Sequence, residues 1–280
     1  MLLSLSSVSL SAVVARLRAA GCVFAEDEAD LLVAQASTPA ELDAMVGRRA
    51  AGLPLEQILG WAEFCGLRIT LEPGVFVPRR RTEFLVHEAV RCLRDIPHHN
   101  AGLPVVVDLC CGSGAVGAAL GALLGQVELF AADIDPAAVR CARRNLASAG
   151  GRVYEGDLYE PLPTALQGRV DVLVANAPYV PTEEVALLPA EARDHEPRVA
   201  LDGGVDGLHI LRRVAADALR WLAPGGQLLV ETSERQAPPI AAAMTCSGLS
   251  ARVTVSDEFG TAAVIGTKPA HAVLPASLGP

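Results

Sequence analysis

The segment Val105-Val-Val-Asp108-Leu-Cys110-Cys-Gly112-Ser-Gly114 reads as a buried strand that ends in a glycine turn. The chain then stays uncharged from Leu109 to Val127, rich in Gly and Ala, before Glu128-Leu-Phe-Ala-Ala-Asp133. Strand, turn, helix and second buried strand explain this run better than a membrane span, which needs a longer and more uniformly apolar stretch.

Outward from this unit the periodicity keeps switching. Strands are predicted at 104–108, 127–132, 152–155, 170–175, 226–231, 251–256 and 262–267, and helices at 115–123, 136–148, 183–192 and 205–222. The alternation implies an α/β domain with a parallel-rich sheet covered on both faces. Ligands in such folds collect beyond the C-terminal strand ends, where Asp108, Asp133, Asp157 and Asn176 fall.

The chain before this domain is helical in pattern. Leu10, Val13, Val14 and Leu17 share one face, as do Ala29, Leu32, Val33 and Ala36, and Leu42, Met45 and Val46 form a third short face. Leu67-Arg-Ile-Thr-Leu71 alternates like a short strand before Pro73-Gly74, and 82–94 returns to helix ahead of the polar break Pro97-His-His-Asn100. The predicted division is a helical, substrate-recognising part with its connector at 1–72, the larger domain at 73–268, and a Pro- and Ala-rich disordered tail at 269–280.

The 280 residues carry a net charge of −9 with a pI near 5.2, which does not favour nonspecific nucleic-acid binding or an anionic membrane surface. Seven cysteines without a CxxC pair argue against a disulfide framework and for a reducing cytoplasm, and Cys110-Cys111 lacks the spacing and nearby histidines of a zinc site, so no metal is expected. Arg16 and Arg18 interrupt the N-terminal apolar pattern, unlike a signal peptide.

Three strand ends outline a nucleoside pocket. Gly112 and Gly114 permit a tight turn and a close backbone approach to an amino-acid tail, with Asp108 orienting polar groups nearby. The spacing is not GxGxxG, so a dinucleotide is disfavoured. Asp133 is placed to accept both ribose hydroxyls, while Asp135 is either an alternate or the cap of the helix starting at Pro136. Asp157 can accept from an adenine amino group or stand in solvent, and Asn145 fits a helix surface or cap.

Asn176-Ala177-Pro178-Tyr179 follows the apolar run Val170-Asp-Val-Leu-Val-Ala175. The Asn176 side-chain oxygen and the Ala177 carbonyl can accept both hydrogens of an NH2 group, Pro178 stiffens the turn, and Tyr179 covers a planar acceptor. Methyl transfer to an amide or amino nitrogen needs such orientation and no strong general base, so His195 is expected to be a loop contact or helix boundary.

Residues 49–267 resemble the HemK/PrmC-type protein N5-glutamine methyltransferases. The resemblance is carried by Ile58-Leu59-Gly60, Pro78-Arg79, Thr82-Glu83, Asp108, Gly112-Ser113-Gly114, Asp133, Asp157, Asn176 to Tyr179, Glu196-Pro197, Gly203-Gly204, Asp206-Gly207, Glu231 and Gln236. It implies a seven-stranded Rossmann-like class I sheet behind a small helical domain, with S-adenosylmethionine as methyl donor. The implied acceptor is the glutamine of a Gly-Gly-Gln segment in class I peptide-chain release factors. Phe76, Arg79, Cys110, Ile134, Leu158 and Asn176 are expected to join the cofactor contacts, and a monomer is expected.

The chain departs from that family at four places. Ala177 replaces a proline, Cys110 replaces the first glycine of the cofactor turn, Ser233 replaces another glycine, and Arg80-Arg81 replace a proline and an acid. The two arginines either engage an acidic partner or face water. The alternatives are a related enzyme with another protein or small-molecule substrate, a DNA amino-methyltransferase, and a noncatalytic cofactor-binding module.

Overall fold

A computed structural model describes residues 10–95 and 102–270 of the chain. The polar break at 97–100 and most of the proposed tail lie outside the described residues.

Four helices open the structure: α1 (Leu10–Ala19), α2 (Ala25–Gln35), α3 (Pro39–Ala50) and α4 (Leu55–Leu59). The expected faces bury Leu17, Leu32, Leu42 and Val46 together. The start of α3 is fixed locally, because the Thr38 hydroxyl accepts from the Glu41 N–H and the Glu41 carboxylate reaches back to the Ser37 N–H.

The connector differs from the sequence expectation by one strand. Leu67–Thr70 (β2) pairs antiparallel with Trp61–Phe64 (β1), and Cys65-Gly66 turns between them with φ of 49° and 72°. A two-residue turn with both residues left-handed matches strand twist, but Asn or Asp ordinarily precedes the glycine, so Cys65 hid the hairpin. Leu71, Val75 and Val77 then pack on Cys141 and Ala137. A 3-10 turn at Arg80–Thr82 leads into α5 (Glu83–Asp95).

The larger domain holds β3 (Val105–Leu109), β4 (Glu128–Asp133), β5 (Arg152–Glu155), β6 (Val170–Ala175), β7 (Leu222–Thr232), β8 (Ser250–Ser256) and β9 (Thr261–Thr267). Their order is β5-β4-β3-β6-β7-β9-β8, parallel through β7 and antiparallel at β9 and β8. The helices are α6 (Ala115–Leu124), α7 (Pro136–Asn145), α8 (Ala190–His195), α9 (His209–Trp221) and α10 (Ala237–Cys246). Val105, Val107 and Leu109 pack with Leu211, Val214 and Ile240 on one sheet face, while Val106 packs with Leu85, Val116 and Val139 on the other. The pleat of β3 therefore serves two cores, as the uninterrupted apolar strands required.

Two helices are shorter than their periodicity suggested. The expected helix at 183–192 is a 3-10 turn at Thr182–Leu187 followed by α8, because Pro189 has no N–H and holds Leu188 extended. The expected helix from 205 begins at His209, since Gly204 and Gly207 take positive φ in a segment packed against Pro178 and Tyr179.

Candidate active site

The topological reversal lies where β3 stands between β4 and β6, and a cavity of about 240 Å³ opens there beyond the strand ends. All four residues from Asn176 to Tyr179 line it. So do Phe76, Arg79, Cys110, Gly112, Asp133, Ile134, Asp157 and Leu158.

Asp133 anchors the glycine-turn side of the cavity. One carboxylate oxygen accepts from the Gly112 N–H at 2.8 Å and the other from the Asp135 N–H at 2.9 Å. Each oxygen keeps a further lone pair for a hydroxyl in the cavity. Burial outweighs these bonds and pushes the Asp133 carboxyl upward. The carboxylate of Asp135 accepts from the Ala137 N–H at 2.8 Å, so it caps α7.

Asp108 and Gly114 do not line the cavity. Asp108 is 1% exposed beneath the turn, accepts from the Gly117 N–H at 2.9 Å, and is pushed up to about 7 chiefly by burial. A Cβ on Gly114 would lie 3.0 Å from the Ala142 backbone, so this glycine lets α6 approach α7. Gly112 differs: a Cβ there would meet no protein atom within 4 Å, which leaves open cavity above the turn. Cys110 holds φ at 54°, the left-handed conformation that the replaced glycine would adopt freely.

Asp157 lines the cavity but is paired with Arg213 at 2.6 Å. Asn145 is more than a helix-surface residue. Its oxygen accepts from the Thr70 N–H and its amide donates to the carbonyls of Thr70 and Ser113, tying the connector hairpin to the glycine turn. His195 ends α8, faces Gly52, and does not line the cavity.

The opposite wall holds Asn176 and Tyr179 with Thr82 and Glu231, which the sequence offered only as motif matches, and with Arg81, one of its departures from the family. The Asn176 amide nitrogen donates to the Thr82 hydroxyl at 3.2 Å. The Tyr179 hydroxyl donates to Glu231 at 3.2 Å, and the Arg81 Nε stands 3.3 Å from the same carboxylate oxygen. Arg81 also lies 5.9 Å over the Tyr179 ring. Arg81 therefore lines the site although its side chain is 48% exposed, whereas Arg80 is exposed and does not line the cavity. The signal that could have singled out Glu231 is its place as the one charge closing the apolar run Leu228-Leu-Val-Glu231.

Behind this wall the Gln236 amide donates to the Tyr179 carbonyl at 2.9 Å, and the Ser233 hydroxyl donates to the Gln236 side-chain oxygen at 2.7 Å. Ser233 thus orients a clamp on the Tyr179 loop. Gly207, with φ of 75°, comes so near that a Cβ would lie 2.2 Å from the Tyr179 carbonyl oxygen. Elsewhere on the cavity lining, Arg79 pairs with buried Glu196 and stands 4.8 Å over the Phe76 ring.

Open space above Gly112, free lone pairs on Asp133 and an apolar Ile134 beside them suit a ligand carrying a ribose, a flat base and a polar tail. The donor set contains no cluster of His, Cys, Asp or Glu able to hold a metal ion among the described residues. No described helix is long and apolar enough to cross a membrane.

A methyltransferase small domain profile matches residues 67–192. A release factor glutamine methyltransferase from Geobacter sulfurreducens is 40% identical, spanning 81% of this chain and 78% of that protein. A 4-amino-L-phenylalanine/4-methylamino-L-phenylalanine methyltransferase from Streptomyces pristinaespiralis is 37% identical, spanning 78% of this chain and 75% of its own. A methyltransferase structure from Pyrococcus furiosus shares the fold with a TM-score of 0.50 at 17% identity, covering 81% of this chain and 98% of that one.

Fold and site together define a class I Rossmann-like methyltransferase. Within that class, the chain belongs to the release factor glutamine methyltransferase family.

Proposed function

We propose that this enzyme transfers a methyl group from S-adenosylmethionine to the side-chain amide nitrogen of a glutamine in a protein, the Gly-Gly-Gln segment of a class I release factor. The observation that carries the reading is the convergence of Asn176, Ala177 and Tyr179 with Gly112 and Asp133 on one cavity. The donor supplies an electrophilic methyl on sulfur, and the chain binds, orients and shields.

Asp133 receives the ribose hydroxyls, the turn at Gly112 admits the amino-acid tail, and Ile134 and Leu158 border the base. Asn176 Oδ1 and the Ala177 carbonyl accept the two amide hydrogens, which directs the nitrogen lone pair at the methyl. As positive charge grows on the nitrogen, the same oxygens stabilise it. Tyr179 covers the acceptor plane. Ala177 keeps the carbonyl that the family's proline would supply, and it is buried at 1% exposure, so packing replaces the lost ring as the restraint.

A second reading, methylation of an aryl amine on a small amino acid, is favoured by the Streptomyces pristinaespiralis relative. One experiment separates the two. The purified chain is given labelled S-adenosylmethionine with release factors carrying Gly-Gly-Gln or Gly-Gly-Ala, and separately with 4-amino-L-phenylalanine. Label that depends on the glutamine is expected. Label on the small amine alone transfers the site to the second reading.

A further inference from the structure

We infer that Glu231 is a positioning residue for the acceptor, acting through Thr82 and Tyr179 to decide which end of the Asn176 amide faces the cavity. The inference rests on the assignment of this site to methylation of an NH2 group.

Strand register sets the neighbourhood. Ala175 of β6 pairs with Val230 of β7, so Asn176 and Glu231 leave adjacent strands side by side at the mouth. Glu231 is 1% exposed; its carboxylate accepts from the Tyr179 hydroxyl and pairs with the Arg81 guanidinium, and the Thr82 hydroxyl is its neighbour without a formed hydrogen bond in this structure. Its Oε2 is buried and has no hydrogen-bond partner, so it is open to the Thr82 proton. A buried carboxylate short of donors draws any proton within reach.

A hydroxyl owns one proton. When Thr82 turns that proton to Glu231, only its lone pairs remain for Asn176. The Asn176 amide then presents its nitrogen to Thr82, as the 3.2 Å bond requires, and its Oδ1 is left for the cavity. A carboxylate carries no donor of its own, so the chain of donors runs one way, from Asn176 through Thr82 to Glu231. Tyr179 spends its single proton on the same carboxylate, which fixes the ring and removes a competing donor. Arg81 balances the charge from the solvent side. If the Asn176 amide were reversed, its NH2 would meet the NH2 of the acceptor, donor against donor.

The test uses the full chain with a Gly-Gly-Gln release factor. Glu231→Gln offers one oxygen to three donors and adds two donors of its own, and Thr82→Val removes the relay while keeping its shape. Each is expected to lower kcat/KM for the acceptor about 100-fold, with cofactor Kd held within about 3-fold. Thr82→Ser keeps the hydroxyl and is expected to stay within about 3-fold of the parent. The double variant Glu231→Gln with Thr82→Val should be no slower than the slower single, because both cut one chain. A role in packing alone predicts loss of cofactor affinity alongside rate and penalties that add.

Solvent exchange of the Asn176 side-chain NH2, followed by nitrogen-edited NMR, reads the geometry without catalysis. Exchange at least about 10-fold faster in Thr82→Val and Glu231→Gln than in the parent or Thr82→Ser is expected. Unchanged exchange, or parental kcat/KM in both variants, overturns the inference. If the parent leaves the release factor unlabelled, the substrate assignment falls, and the exchange rates alone decide the inference.

Discussion

Two aspartates two residues apart do different work, and the difference is measurable. Asp133 holds the turn at Gly112 and faces the cavity, whereas Asp135 caps α7. Asp133→Asn replaces one acceptor with a donor that confronts a backbone N–H, so S-adenosylmethionine binding by calorimetry should weaken about 30-fold or more. Asp135→Ala should cost about 1 kcal/mol of unfolding free energy and leave affinity within about 3-fold. Equal loss of affinity in both would show that Asp133 has no separate ligand role. The sequence placed four polar residues at strand ends but did not separate them by depth. Asp108 pairs across to Ala131, whereas Asp133 lies one residue beyond the β3 to β4 pairing that closes at Leu109 and Ala132. The pleat puts Asp108, Ala131 and Asp133 on one sheet face, so the offset along the strands alone leaves Asp108 under the turn and carries Asp133 out to the cavity.

At the level of elements, the short helix α8 and the residue that follows it carry two ion pairs, one to the N-terminal helices and one to Arg79 at the cavity. Arg49 of α3 is buried with Glu28 in a two-pronged pair and reaches Glu191 in the first turn of α8. Immediately after α8, Glu196 accepts from the Val77 N–H and holds Arg79 at the cavity. Arg49→Met strands the Glu28 carboxylate and should cost roughly 3 to 5 kcal/mol. Glu191 is half exposed at 48%, and Glu191→Gln should cost only about 0 to 1 kcal/mol. Urea midpoints of the two variants check the contrast, and equal effects would mean that the buried pair does not dominate the docking. The helical faces were legible because apolar spacing marks them. The latch was not, since Glu28, Arg49 and Glu191 look like ordinary surface charges until three helices converge. Likewise β1 was hidden by Cys65 at its turn, and the break before α8 rested on Pro189 alone.

Over the whole molecule the seven expected strands recur within a few residues; the inner strands are buried on both faces and announce themselves as apolar runs, while β5 and β8 at the sheet edges are largely exposed. What the runs did not reveal is how the fold ionises. Asp108, Asp133, Glu196 and Glu231 are all pushed upward, with burial the largest cause in each. Asp194, Asp202 and Asp206 are pulled downward by hydrogen bonds; Asp194 and Asp206 are about half exposed, at 48% and 51%, so solvent screens their contribution, whereas Asp202 is 19% exposed and is held by the Thr182 hydroxyl and the Gly204 N–H. Asp108 gives the clearest test, since its carboxyl moves from an ordinary 3.8 to about 7 on folding. A carboxyl raised in the folded state favours folding while it is protonated. That contribution is complete below pH 3.8 and is lost as pH climbs through about 7. Asp108→Asn cannot ionise and should be free of this loss. Measured by urea unfolding at fixed pH, the stability of Asp108→Asn minus that of the parent should rise between pH 4 and pH 7 by on the order of 3 kcal/mol, then level off. A difference that stays flat across this window would place an ionised carboxylate under the glycine turn at all these pH values, with the Gly117 N–H outweighing burial.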